Sequence, residues 1–268
     1  MDKYLTSAQN EKIKQLIRLK DKKERDKTSL FLVEGYREIL RAYESKARAH
    51  SLYICPELFL KNNEQKLVSS FSSPCFLVEK KLFEKISYRD RPDGLIAIFH
   101  TFDTNLDVLS FSKKDPCIVV AESIEKPGNL GTILRSSDAA GVDAVIVVDH
   151  CTDIYNPNVV RSSVGTLFTL PVLQIARDHL YPWLKEKGFL LVATTPHAKK
   201  EYTDVAYKGP LAVLVGTEQL GLSSFWMEQA AIQVKIPMKG KADSLNVATA
   251  TTLILYEILR QRSSTALS

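Results

Sequence analysis

The sequence predicts an α/β protein: a carboxyl-terminal parallel sheet with helices on both faces, preceded by a smaller α/β domain. From Pro116 on, short and nearly all-apolar segments recur, "CIVVAE", "DAVIVVD", "FLLVATT", "LAVLVG" and "AIQVKIP". Strands apolar on both faces belong to a sheet covered on both sides. Between them lie stretches of helical pattern around 130–140, 157–167, 175–187, 222–229 and 244–262. Such alternation is the mark of parallel βα units. A length of 268 residues is enough for two cores rather than one.

The amino-terminal elements follow in order. "NEKIKQLIRLKDKKERDK" carries apolar Ile13, Leu16 and Ile17 at helical spacing, so an amphipathic helix is expected over 10–27. "SLFLVEG" reads as a strand, "YREILRAYES" as a helix and "SLYIC" as a second strand; "CFLVE", a short "KKLFEKIS" helix and "GLIAIF" complete the unit. "HTFDTNLDVLSFSKKD" lacks periodicity and reads as a connection. The expected organisation is a first domain over 1–102, a linker over 103–114 and a second domain over 115–268.

Charge divides along the same line. Residues 1–114 hold 22 Lys and Arg against 16 Asp and Glu, whereas residues 115–268 hold 14 against 15. A basic module joined to a near-neutral one suits a polyanion-binding domain beside a catalytic domain, although a solvated basic surface has the same signature. Lys20, Lys22, Lys23 and Arg25 are the candidate polyanion contacts of this module. The four cysteines are scattered with no C-x-x-C pair and the five histidines have no ligand spacing, so no metal is expected. No apolar run reaches membrane-spanning length, and the start lacks a signal-peptide core; a cytoplasmic protein is expected.

Ligands of parallel sheets gather at the carboxyl ends of the strands. Three of those ends combine glycine with polar side chains. "CIVVAE" is followed by "SIEKPGNLGTILRSSDAAG", with Asn129 and Arg135; "LAVLVG" by "TEQLGLS", with Gly216 and Glu218; and "AIQVKIP" by "MKGKADSLN", with Ser244 and Asn246. Neither G-x-G-x-x-G after a strand nor G-x-x-x-x-G-K-[ST] is present, which removes dinucleotide and nucleoside triphosphate sites.

The string "PGNLGTILRSSDAAGVDAVIVV" resembles the first motif of the SpoU (TrmH-type) branch of the SPOUT methyltransferases. "LVGTEQLGLS" resembles the second, "IPMKGKADSLNVATATTLILYE" the third, and "DIYNPNVVRSSVGTLFTLPV" the intervening segment. Order and spacing agree over 116–262. "FLVEGYREILRAY" and "PDGLIAIF" resemble, more weakly, the family's ribosomal-protein-like substrate domain. Departures are confined to Thr217 and Gln219–Leu220 in variable slots and to Ala248–Thr249, where serine is common.

The resemblance implies an S-adenosyl-L-methionine-dependent 2′-O-methyltransferase of structured RNA, ribosomal RNA ahead of transfer RNA, working as a homodimer. It also implies a deep trefoil knot, which periodicity does not predict. Thr195, Pro196, Gly216, Ile236 and Leu245 would hold the cofactor. Arg135 would contact the target ribose or its phosphate, Asn129 would orient Arg135 or the ribose, and Glu218 would brace its loop. Ser244 and Asn246 would face the reacting centre, and Arg161 would meet an RNA phosphate or the dimer partner.

Each role has a plainer rival. Arg135 could pair with Asp138 at i+3 and Glu218 could sit at a helix start. Asp243 or Ser244 could cap the last helix, a contact worth ~1 kcal/mol, which would leave Asn246 past the cap and without a structural purpose. At the level of the whole chain the rivals are a non-catalytic RNA-binding scaffold and a small-molecule methyltransferase.

Overall fold

The computed structural model describes residues 4–149, 152–217 and 219–265 and divides into two compact units. Unit 1 comprises residues 1–102 and 153–169; unit 2 comprises 103–152 and 170–268. In unit 1, β1 (Tyr4–Leu5), α1 (Glu11–Arg18), α2 (Lys22–Thr28), β2 (Leu30–Glu34) and α3 (Tyr36–Glu44) come first. They are followed by β3 (Ala49–Ile54), α4 (Asn63–Ser69), β4 (Cys75–Val78), α5 (Lys80–Ile86) and β5 (Leu95–His100). The five strands form a mixed sheet in the order β1-β4-β3-β5-β2.

The single helix expected over 10–27 is two helices. Asn10 caps α1 by accepting from Lys12 N (2.9 Å), and Asp21 caps α2 by accepting from Lys23 N (3.0 Å). Arg25 then closes the corner. Its Nη1 donates to the carbonyls of Leu19 and Lys20 (2.8 Å each), which end α1, and its Nε and Nη2 donate to Asp153 Oδ2 (2.9 and 2.6 Å).

Unit 2 begins with residues 103–115, where Leu106, Leu109 and Phe111 pack against its hydrophobic core. β6 (Cys117–Glu122), α6 (Pro127–Ala139) and β7 (Ala144–Val148) follow. The next residues, 153–169, belong to unit 1, although the sequence assigns them to the catalytic domain. They contain α7 (Pro157–Ser162), which ends before Gly165 at φ 80°, and one 3-10 turn at Thr166–Phe168. Tyr155 and Phe168 pack on Phe31 with ring centroids 4.7 and 6.0 Å apart, so the segment supplies part of that unit's core.

Unit 2 resumes with β8 (Val172–Gln174), α8 (Arg177–Glu186), β9 (Leu190–Thr194), β10 (Lys200–Glu201) and β11 (Leu211–Val215), then α9 (Ser224–Gln229), β12 (Ile232–Lys235) and α10 (Val247–Thr265). The sheet order is β10-β12-β9-β11-β6-β7-β8, and every pairing is parallel. All residues of β6, β7 and β11 are buried, as the continuous apolar runs predict. The edge strands β8 and β10 span three and two residues, too short to leave a periodic signal.

Candidate active site

Because β12, β9, β11 and β6 are adjacent and parallel, the residues leaving their carboxyl ends are neighbours: Ile236, Thr195, Gly216 and Ser123. Thr195 N donates to Val234 O and Thr194 Oγ1 to Leu214 O, each at 3.0 Å, which ties these ends together. Pro196 is exposed just beyond. A Cβ on Gly216 would stand 2.2 Å from the carbonyl oxygen of Gly221, so no side chain fits there. That approach is set by a small hairpin in which Thr217 and Gly221 exchange backbone hydrogen bonds of 3.1 and 3.0 Å.

Glu218 lies outside the described residues. A carboxylate nonetheless braces this loop: Glu122, 4% exposed at the end of β6, accepts from Ser223 N at 2.7 Å. Nothing near Glu122 in the sequence marks it as a loop brace. Its only signal is an acid closing an otherwise apolar strand.

The amino-terminal ends of α6 and α10 meet here. Asn246 Nδ2 donates to Asn129 Oδ1 (3.1 Å), while Asn246 Oδ1 accepts from Ala248 N (3.0 Å) and Thr249 N (3.4 Å). Asn246 is therefore itself the cap of α10, contrary to the expectation that Asp243 or Ser244 fills that place; both are exposed. Farther along, Ser136 Oγ and Thr252 Oγ1 are 2.7 Å apart, a second polar tie between the helices. Asn246→Ala should cost about 1 kcal/mol in stability through the lost cap, and it also removes the hydrogen bond to Asn129 Oδ1. Thermal melting checks the first effect. Melting unchanged from wild type would remove Asn246 from the capping role.

A cavity of about 200 Å³ lies where the three junctions converge. Asn129 and Lys126 line it from the first, Thr217 and Leu220 from the second, and Val247 from the third. Arg135 does not line it. It is exposed on α6, on the stripe of Gly128, Thr132 and Ala139, and its guanidinium has no hydrogen bond or ion pair among the described residues. Pairing with Asp138 is thus not seen for Arg135, nor is a hydrogen bond from it to Asn129.

The strand-end loops suit a nucleoside-bearing cofactor held by backbone. Between residues 236 and 245 no backbone N–H donates to a backbone carbonyl among the described residues. Backbone groups not tied up in turns can serve a ligand rich in donors and acceptors, beside the half-buried Ile236 and Leu245. Among the described residues no cluster of His, Cys, Asp and Glu could hold a metal ion.

Unit 1 places the other candidates. Lys22 and Lys23 are exposed, Lys22 in an ion pair with Asp26 at 2.6 Å. Lys20 is half-buried over the Tyr88 ring at 4.3 Å, and burial holds its ammonium below the usual lysine range against the opposing pull of Glu34. Arg25 is a correction. At 3% exposure and paired with Asp153, it stabilises the fold and has no surface to offer RNA. Arg161 is exposed, with Nη1 donating to Tyr88 O at 3.2 Å.

Two family models match the chain: the SpoU rRNA Methylase family over residues 116–256 and an MRM3-like substrate binding domain over 10–97. The 23S rRNA (guanosine(2553)-2'-O)-methyltransferase RlmP of Bacillus subtilis is 29% identical, with 96% of this chain and 99% of that protein aligned. A crystal structure of an RNA 2'-O ribose methyltransferase is 41% identical, with TM-score 0.86 over 97% of this chain and 99% of that one. The SpoU methyltransferase AviRb from Streptomyces viridochromogenes, in complex with the cofactor AdoMet, is 30% identical with TM-score 0.89, covering 96% and 99% of the two chains.

Proposed function

This chain belongs to the SpoU rRNA methylase family, and from that premise we propose that it methylates the 2′-hydroxyl of a ribose in ribosomal RNA, as RlmP is named for doing. It is an S-adenosylmethionine-dependent RNA 2′-O-methyltransferase. The observation that carries the reading is the convergence of three strand-end loops, distant in sequence, on one cavity bridged by the Asn129–Asn246 hydrogen bond.

The bound cofactor supplies an electrophilic methyl group. The protein must hold it, align the ribose and lower the energy of the developing alkoxide. Backbone groups after β9, β11 and β12, at Thr195, Pro196, Gly216, Ile236 and Leu245, form the cofactor slot, with the knot of the SPOUT fold closing it. Asn129 and Asn246 hold the two helix starts at the cavity, Ser244 faces the reacting centre, and the role of Glu218 is to brace its loop. Arg135 meets the substrate. A guanidinium has a pKa above ~12, so its role is to stabilise negative charge rather than to take the proton.

Residues 1–102 are the substrate-binding domain of this proposal, with Lys20, Lys22, Lys23 and Arg161 toward RNA. The protein acts as a homodimer in the cytoplasm. Leu253, Tyr256 and Leu259 support pairing, being 37%, 48% and 37% exposed along α10. No helix among the described residues is long and apolar enough to cross a membrane.

Purified protein should transfer labelled methyl from S-adenosylmethionine to unmodified ribosomal RNA. Label entering transfer RNA alone would move the assignment to that substrate. Cofactor binding without transfer to any RNA would leave a non-catalytic scaffold.

A further inference from the structure

The Thr217–Gly221 hairpin beside the catalytic cavity carries a side chain that the chemistry does not use. Leu220 is 88% exposed, the most exposed large apolar side chain among the described residues. It lines the cavity with Thr217 of its own loop, Lys126 and Asn129 of the first junction and Val247 of α10.

Lone apolar side chains are ordinary on protein surfaces. This one differs in its place and in how firmly it is presented. Its N–H donates to Thr217 Oγ1 at 3.0 Å, and Thr217 and Gly221 exchange two backbone hydrogen bonds. Gly216 packs so closely on Gly221 that no Cβ fits between them. On the other side of the hairpin, Ser223 N is anchored to the buried Glu122 at 2.7 Å. A loop tied at both ends cannot fold over to bury its leucine. The apolar surface is available only to what enters the cavity from outside.

On the reading of the chain as a ribose methyltransferase, what enters is one nucleotide of structured RNA. Its 2′-oxygen must reach a methyl group held in a recess walled by three loops. A nucleotide stacked in a helix has neighbours on both sides along its strand, and these meet the loops before its ribose does. The target must therefore leave the stack, which bares the apolar faces of the flanking bases. Proteins that open a base step commonly fill it with an apolar side chain, leucine among them, and the extruded nucleotide is held in the pocket that receives it.

We propose that Leu220 is such a wedge: it packs on the base next to the target nucleotide, takes the place the target has left, and so holds the target ribose at the cavity. Leu220 is a positioning residue, remote from the reacting atoms in its role. The proposal rests on the RNA-methyltransferase reading and adds how the substrate nucleotide gains access to the site. An apolar wedge reads no base edge, so it opens the stack without selecting a sequence.

The test uses full-length protein and an unmodified ribosomal RNA transcript, then a fragment of that transcript which the wild-type protein methylates. The fragment is made in two forms, with the bases flanking the target nucleotide either intact or abasic. On the intact form, Leu220→Ala should lower the single-turnover rate about 10–100-fold, in keeping with the apolar burial lost, whereas Leu220→Met should keep most of it. Affinity for the RNA, which phosphate contacts dominate, should change far less than the rate, and affinity for S-adenosylmethionine should not change. On the abasic form, where the target is already unstacked, Leu220→Ala should proceed at the wild-type rate. That recovery separates a wedge from a residue that only shapes its loop, which would slow both forms equally. A wild-type rate for Leu220→Ala on the intact form, or an equal loss on both forms, overturns the proposal. So does a variant that sediments as a smaller species than wild type, which would make Leu220 a contact between copies of the chain, or one that loses cofactor affinity. Wild-type protein that methylates no RNA would remove the catalytic reading and the wedge together. Methylation that Leu220→Ala leaves intact would remove the wedge alone.

Discussion

Arg135→Ala lowers methyl transfer by at least about 10²-fold while S-adenosylmethionine affinity stays at the wild-type value. The size is that expected for removing one cation from a developing oxyanion, the role proposed for Arg135. The separation of effects follows from the structure: Arg135 is exposed on α6 and does not line the cavity where the three loops meet. Losing its side chain therefore disturbs neither the Asn129–Asn246 bond nor the strand ends beneath it. Arg135→Lys should recover only part of the rate, because an ammonium keeps the charge but not the planar fork. Single-turnover methylation beside calorimetry reads both quantities. Wild-type turnover by the alanine variant would exclude Arg135 from the chemistry, and a parallel loss of cofactor affinity would recast it as a binding residue.

Arg25→Ala destabilises unit 1 by roughly 3–5 kcal/mol, the cost of stranding one member of a buried ion pair. Arg25 and Asp153 are 3% and 9% exposed, and the guanidinium also serves the two carbonyls that end α1. Asp153→Ala should cost a comparable amount. Arg25→Met combined with Asp153→Leu should recover only part of it: the apolar pair carries no ionic desolvation penalty, but the Leu19 and Lys20 carbonyls lose their donor. Urea unfolding followed by hydrogen exchange in α2 and α7 distinguishes unit 1 from unit 2. Single variants with wild-type protection in both helices would refute the assignment. The same pair has a consequence for truncation. A cut at residue 102 removes the partners of Asp153, Tyr155 and Phe168, so unit 2 would carry an orphaned apolar segment rather than fold as a clean half.

Much of the site was legible because its parts are local. The apolar runs of β6, β9, β11 and β12 gave the sheet, and the polar residues after three of them gave the candidate list. Asn246 was legible as important but not in its manner, because a cap depends on where the helix starts, and that boundary is three residues later than its pattern suggests. Glu122 was missed because its partner, Ser223 N, is a backbone group a hundred residues away. Arg25 was misjudged for a related reason: within a basic run, nothing local separates a solvated arginine from one that answers a distant aspartate.

The sequence by itself determined the α/β class, the parallel sheet and the three polar strand ends, since hydrophobic period and glycine placement act over a few residues. Only the tertiary structure decided that residues 153–169 build unit 1, that Asn129 and Asn246 meet, and which cations reach the surface. Those outcomes depend on partners far apart along the chain, and burial sets the worth of a charge only once the partners have come together.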